Sequence, residues 1–199
     1  MIKNVIFDIG NVLTDFRWEQ FLAGKGFDEA QIRRIAKASI LSPTWAELDR
    51  GVWSFEEVMA GFVKNDPELE EEFHKAFDDM TDIVTIRDYA VDWVKELKKK
   101  GFSVYFLSNF SEKIERECER GLAFRNEMDG GILSWNVKLI KPDPAFYQLL
   151  LSRYSLVPEE CVFVDDLVAN VEAGKSVGIH GIVFETPQQA WNGLMALNQ

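Results

Sequence analysis

No apolar run in this chain reaches the roughly 18 residues that a membrane-spanning helix requires. The first residues enter a strand-like run at once and show no signal-peptide pattern, so the expected location is cytoplasmic. Cysteine is scarce: Cys118 and Cys161 are the only two. Their spacing matches no metal pair, and a disulfide is not expected in a reducing cytosol. Cys161 stands just before an apolar run and reads as a small core residue. Histidine is as rare, and His74 and His180 fit no catalytic motif. Basic residues are outnumbered, 22 Lys and Arg against 33 Asp and Glu, for a formal net charge of −11. Nucleic-acid phosphates would be repelled by that charge. A small phosphorylated ligand would need a local cation. The expected assembly is a monomer or weak homodimer with no nucleic-acid or membrane partner.

What is present suits one core domain with a modest insertion: 199 residues, 47% of them hydrophobic. Four apolar runs read as parallel strands: Lys3–Asp8, Ser103–Ser108, Cys161–Asp165 and Gly181–Phe184. Amphipathic stretches of helical length fall between or after them, over Ile86–Lys100, Pro144–Tyr154 and Leu167–Val177. The first of these carries Tyr89, Trp93, Val94 and Leu97 on one face and ends at Gly101. Strands alternating with helices predict an α/β fold with a doubly wound parallel sheet. Gly130–Trp135 and Val137–Ile140 are weaker extended segments, a small hairpin or an irregular edge.

The stretch from Phe16 to Asp82 differs in containing no convincing strand. Short helices are expected over Trp18–Ala23, Glu29–Ala38, Thr44–Asp49, Phe55–Lys64 and Pro67–Asp79. Ser54 and Glu57 have capping-box spacing. The expectation is a helical unit, residues 16–82, inserted into a core of residues 1–15 and 83–199. Its aromatic residues (Phe16, Trp18, Phe21, Phe27, Trp45, Trp53, Phe55, Phe62, Phe73 and Phe77) read mostly as its own core. Glu68, Glu70, Glu71 and Glu72 read as a solvated helix face.

Four chemically loaded sites fall at the carboxyl ends of the expected strands or just beyond. In open α/β sheets that edge is where ligands bind. Asp8 ends the first strand and a Gly10-Asn11 break follows it. Ser108-Asn109 ends the second. Lys141 stands in Lys141-Pro142-Asp143-Pro144, immediately before a helix. Asp165-Asp166 ends the third strand. Two adjacent carboxylates would repel without a cation to share. Their bland alternative is to cap the helix over Leu167–Val177.

These four segments, in this order, resemble the motifs of the haloacid dehalogenase superfamily of hydrolases. Phe7-Asp8-Ile9-Gly10-Asn11-Val12 resembles the first motif, Ser108-Asn109 the second and Lys141-Pro142-Asp143-Pro144 the third. Asp165-Asp166, with Asn170 and Gly178, resembles the fourth. The helical insertion resembles the small mobile cap of one subgroup. Glu47-Leu48-Asp49-Arg50-Gly51 and the Asp-x-Gly-Asn-Val opening are similar to its sugar-phosphate phosphatase branch, typified by α-D-glucose-1-phosphate phosphatase.

The resemblance implies a phosphatase that acts on a small phosphorylated metabolite through an aspartyl-phosphate. Asp8 would be the nucleophile, which splits one hard hydrolysis into two easier steps. Mg²⁺ would be held by Asp8, Asp166 and the main-chain carbonyl of Gly10, with Asp165 bound directly or through water. Lys141 would hold the nucleophile and the phosphate as a compact cation. The Ser108 hydroxyl and the backbone N–H groups around Asn109 would donate to phosphoryl oxygens. In the cap, Glu47 and Arg50 are candidate substrate contacts, and Trp45 or Trp53 a candidate surface for stacking a sugar.

One position departs from the superfamily pattern. Most of its phosphatases carry a second Asp two residues after the nucleophile, which protonates the leaving oxygen and then activates water. Here that residue is Gly10. Such a group is typically worth about 10²–10⁴-fold in rate. Three readings stand: a leaving group that needs little protonation, a substitute such as Asp15, or a slow or inactive phosphate-binding protein. A haloacid-type dehalogenase, which needs no metal, is a further alternative that the Asp165-Asp166 pair argues against.

Overall fold

The computed structural model describes residues 1–198. The chain opens with β1 (Asn4–Phe7), buried throughout. A tight turn with Asn11 at φ 56° leads to β2 (Thr14–Phe16). Five helices follow: α1 (Trp18–Gly24), α2 (Glu29–Ala38), α3 (Pro43–Arg50), α4 (Phe55–Asn65) and α5 (Glu70–Phe77). β3 (Val84–Ile86) then pairs antiparallel with β2, setting Phe16 opposite Val84. The remaining elements are α6 (Ala90–Lys99), β4 (Ser103–Ser108), α7 (Glu112–Glu117), β5 (Gly130–Leu133), the single turn α8 (Ser134–Val137), α9 (Pro144–Arg153), β6 (Cys161–Asp165), α10 (Val168–Ser176), β7 (His180–Val183) and α11 (Pro187–Ala196). No helix among the described residues is long and apolar enough to cross a membrane.

Five strands form one parallel sheet in the order β5-β4-β1-β6-β7. Parallel strands covered on both faces read as continuous apolar runs, and β1 and β6 are buried at every position. Successive strand residues serve opposite faces. Ile6 packs with Tyr147, Leu150 and Phe163, on the side of α9. Phe7 packs with Trp93, its ring 4.7 Å away in an edge-on contact, on the side of α6. Full burial of each such side chain stabilises the fold by about 1.5–3 kcal/mol.

The chain winds outward from β1 through β4 to β5, then returns to its other side for β6 and β7. β1 therefore borders the point where the strand order reverses, and ligands bind outside the carboxyl ends of the strands at such a point. Register then dictates what meets there. Phe7 lies level with Phe106 on β4 and Val164 on β6. Asp8 and Asp165 come one residue later and Ser108 two residues later, so all three reach the same edge.

The insertion is helical, as its sequence predicts, and Ser54 and Glu57 cap α4 reciprocally at 3.2 and 2.7 Å. Asp28 and Gln31 form a second capping box on α2. Trp45, Phe62, Phe73 and Phe77 pack in one aromatic cluster with centroid separations of 5.6–6.4 Å. Phe16 joins it against Trp45 at 5.9 Å.

Two expectations need correction. The expected strand-free stretch from Phe16 onward begins inside β2, and Ile86 ends β3 rather than starting a helix. Three-residue strands offer too few alternations for a period-2 signal. The second concerns Val137–Ile140, expected to be extended. After the parallel strand β5 the chain instead makes the turn α8, with Lys138 at φ 63°. Ser134 holds that turn: its hydroxyl accepts from the Phe110 N–H at 2.9 Å and donates to the Asp49 carbonyl at 2.5 Å. The signal is tertiary, because Asp49 and Ser134 are remote in sequence.

Candidate active site

Asp8 is placed by the end of β1 and by its own N–H, which donates to the Val164 carbonyl at 2.9 Å. Three donors converge on Asp8 Oδ1, each at 2.7 Å: the Ile9 N–H, the Ser108 hydroxyl and the Lys141 ammonium. Among the described residues, Oδ2 accepts no hydrogen bond. Lys141 Nζ also donates to Asp165 Oδ2 at 2.7 Å, so one buried ammonium bridges two buried carboxylates.

Two asparagines and a tyrosine support this bridge. Asn109 clamps the Lys141 backbone from both sides: Oδ1 accepts from the Lys141 N–H at 2.7 Å, and Nδ2 donates to its carbonyl at 3.0 Å. Asn170 Nδ2 donates to both oxygens of Asp165, at 3.0 and 3.1 Å. Tyr147 in turn donates to the Asn170 carbonyl at 2.8 Å. Asp165 Oδ1 accepts from the Leu167 N–H at 2.8 Å. Neither Asp165 nor Asp166 caps α10, whose N-cap is Leu167 without a side-chain bond. The helix-capping alternative for this pair is therefore set aside. Gly178 lies away from this network, past the end of α10 at φ 90°.

Charge is unbalanced here. Asp8, Asp165 and Asp166 each place a carboxylate oxygen within 4.8 Å of the others, and among the described residues one ammonium, Lys141, pairs with two of them, Asp8 and Asp165. Burial, opposed by Lys141 and reinforced by Asp165, raises Asp8 to about 6. Burial and then the Asp165 charge raise Asp166. Lys141 is driven down by burial but more strongly up by Asp8 and Asp165, and it stays charged. A cluster of hard oxygen donors short of positive charge fits a divalent cation such as Mg²⁺.

Above this floor lies a pocket of about 180 Å³. Asp8, Gly10, Asn11, Asn109 and Asp166 form its polar side, and Asn11 donates to Asp166 Oδ2 at 3.3 Å. Phe16, Trp45, Val84, Phe110, Ile114 and Leu167 form an apolar wall. One more carboxylate lines it, Asp49 from α3.

A family model for haloacid dehalogenase-like hydrolases matches residues 2–178. The chain belongs to the haloacid dehalogenase-like hydrolases. Along nearly its full length it is similar to D-ribitol-5-phosphate phosphatase of Bacteroides thetaiotaomicron, 27% identical with 94% of this chain and 92% of that protein covered. It is 25% identical to the sesquiterpene phosphatase astK of Aspergillus oryzae, over 90% of this chain and 88% of that one. It is 35% identical to mouse acyl-CoA dehydrogenase family member 10, but that match spans 52% of this chain and 10% of the mouse protein. Among solved structures, a family enzyme from Bacteroides thetaiotaomicron in complex with magnesium and inorganic phosphate superposes with a TM-score of 0.70 at 20% identity, covering 93% of this chain and 95% of that one.

Within this family framework the remaining expected residues fall into place or fall away. Asp15 on β2 is bound by Arg87 at 2.7 Å and does not line the pocket. Glu47 and Arg50 pair with each other at 3.4 Å and do not line it either. Trp53 is exposed, and Trp45 reaches the pocket while belonging to the insertion's aromatic core. Asp49 was not singled out by the sequence reading. The signal that would find it is spacing: Trp45, Leu48 and Asp49 share one helix face. Trp45 and Leu48 are buried, so a carboxylate sits at the end of an apolar stripe. Burial, then the Asp8 charge, push Asp49 up to about 7.

Proposed function

We propose that this protein is a Mg²⁺-dependent phosphatase that moves the phosphoryl group of a small phosphorylated metabolite to Asp8 and then to water. The observation that supports it most is the one-sided bonding of Asp8. The Ile9 N–H, Ser108 and Lys141 hold Oδ1, which leaves Oδ2 as the nucleophilic oxygen. Oδ2 attacks phosphorus in line with the ester oxygen, and the mixed anhydride formed is then hydrolysed. Mg²⁺, held by Asp8, Asp166 and the Gly10 carbonyl, would neutralise charge on the phosphoryl oxygens. Asp165, whose oxygens serve Lys141, Asn170 and the Leu167 N–H, would act through water. Lys141 keeps Asp8 ionised and oriented. Ser108 fixes the carboxylate, and Asn109 fixes the lysine.

Residues 16–82 serve as a cap over a core of residues 1–15 and 83–199, joined to it through the β2–β3 ribbon. A cap excludes water and selects substrates. The substrate read here is a sugar phosphate such as α-D-glucose-1-phosphate, supported by similarity to the ribitol-phosphate phosphatase. A second reading, a monophosphate with an apolar tail, draws support from the six apolar wall residues and from the sesquiterpene phosphatase. A metal-free dehalogenase is disfavoured by the three clustered carboxylates.

The test is phosphate release from a panel of sugar, polyol and terpenyl phosphates, with and without chelator. Activity is expected to vanish with chelator and in Asp8→Asn. Turnover that survives Asp8→Asn overturns the covalent route, and indifference to chelator overturns the metal.

A further inference from the structure

The geometry assigns Asp49, carried by the helical insertion, the proton-transfer role that Gly10 leaves empty. This inference rests on the covalent phosphatase reading above.

Three observations carry it. First, Asp49 lines the same pocket as Asp8 and Gly10 but is carried by α3 of the insertion, whereas they follow β1 at the sheet edge. Attack by Asp8 pushes the leaving oxygen away from the sheet, toward the insertion. Second, Asp49 is rigidly placed. Its carbonyl is bonded by Ser134, and the Lys138 ammonium donates to the Gly51 carbonyl at 2.5 Å. Gly51 ends α3 at φ 66°, where a Cβ would meet the Trp135 backbone at 3.0 Å. The end of α3 is thus clasped to the turn after β5 at three points. Third, the Asp49 carboxyl accepts no hydrogen bond or ion pair among the described residues, unlike Asp8, Asp165 and Asp15. A carboxyl poised near neutrality suits both donation and acceptance of a proton, and Asp49 lies at about 7. Asp8 and Lys141 are the charges that act on it, in opposite senses.

The steps balance as follows. Asp8 Oδ2 forms a bond to phosphorus while the phosphorus–ester oxygen bond breaks. The departing oxygen takes the Asp49 proton and leaves as an alcohol. Water then gives a proton to the Asp49 carboxylate while its oxygen bonds phosphorus. The anhydride bond to Asp8 breaks, releasing inorganic phosphate and restoring both carboxyl groups.

Gly10 supplies an internal control. Its φ is not positive, and a Cβ added there meets nothing within 4 Å. A Cβ is therefore sterically tolerated at this position, which lines the same pocket as Asp49.

The test compares wild type, Asp49→Asn, Asp49→Glu and the double variant Gly10→Asp/Asp49→Asn with Mg²⁺ present. One substrate is a sugar or alkyl phosphate and the other is p-nitrophenyl phosphate, whose leaving group needs no proton. Asp49→Asn should lose about 10²–10⁴-fold on the alkyl substrate. On p-nitrophenyl phosphate it should still release a rapid burst near one equivalent per enzyme, then stall at hydrolysis of the anhydride. Asp49→Glu should recover part of the turnover, and Gly10→Asp should rescue Asp49→Asn. Loss of the burst in a folded, Mg²⁺-binding Asp49→Asn, or full activity on the alkyl phosphate, overturns the assignment. If Asp49→Asn fails to fold, Asp49→Ser takes its place under the same criteria. Failure of the parent reading looks different: Asp8→Asn keeps its activity.

Discussion

The sheet edge and the insertion each bring a carboxylate to one pocket, but they surround it differently. At the edge, Asp165 has a partner on each oxygen, and Asp8 has three donors on one oxygen. On α3, the Asp49 side chain has no bonded partner among the described residues, although its backbone is tied down. Lys141 offsets part of the burial that raises Asp8, to about 6, which suits a nucleophile or a metal ligand. Asp49, without such a partner, goes up to about 7, which suits acid–base work. The difference lies in surroundings, since the residue type is the same.

The largest effect should come from breaking the paired side. Lys141→Met removes the ammonium shared by Asp8 and Asp165 and leaves two buried charges uncompensated. Loss of one partner of a buried pair costs about 3–5 kcal/mol. Denaturant unfolding in the presence of chelator should show that loss, and phosphate release should fall to background. Wild-type stability in this variant would refute the picture of a cation-starved cluster.

The unpaired side should respond in the reverse direction. The folded state raises Asp49 from 3.8 to about 7. Folding therefore binds a proton that the unfolded chain releases, so stability falls as pH rises from about 4 to about 7 and stays low above that. Asp49→Asn removes this cost. Without metal it should unfold at higher temperature than wild type at pH 8. The gain is on the order of 1 kcal/mol, or about 2–4 °C for a chain of this size. The gap should close below pH 4. Equal melting at both pH values would show that Asp49 is solvated and unstrained.

The smallest effect is expected for Asp15→Asn. Asp15 is paired with Arg87 at 2.7 Å and its side chain is 47% exposed. Such pairs contribute about 0–1 kcal/mol. Turnover should match wild type on both alkyl and aryl phosphates, which separates a carboxylate near the first motif from one inside the pocket.

Much of the sheet edge was legible in the chain. Continuous apolar runs ending in Asp8, Ser108 and Asp165 announce parallel strands, and parallel register alone then brings those residues level. Lys141, before a helix start at Asp143-Pro144, was legible only beside the other three sites, since alone it reads as a solvated loop lysine. The helices of the insertion were legible because their caps are local. The β2–β3 ribbon was not, because three-residue strands carry no period. The α8 turn was not, because its bond to Asp49 joins two distant segments.

Asp49 shows where the two sources divide. By itself the sequence determined which side chains end the strands, since alternation, burial and register follow from local apolar pattern. It also determined that Gly10 stands where an acid is usual. Only the tertiary structure decided which other carboxyl faces Asp8. Asp15 is nearer in sequence, but strand pairing turns it toward Arg87. Asp49 is remote in sequence, yet helix packing and the Ser134 and Lys138 clasps carry it to the pocket. Its proton affinity follows from that place, because desolvation and a neighbouring charge arise only after the chain has folded.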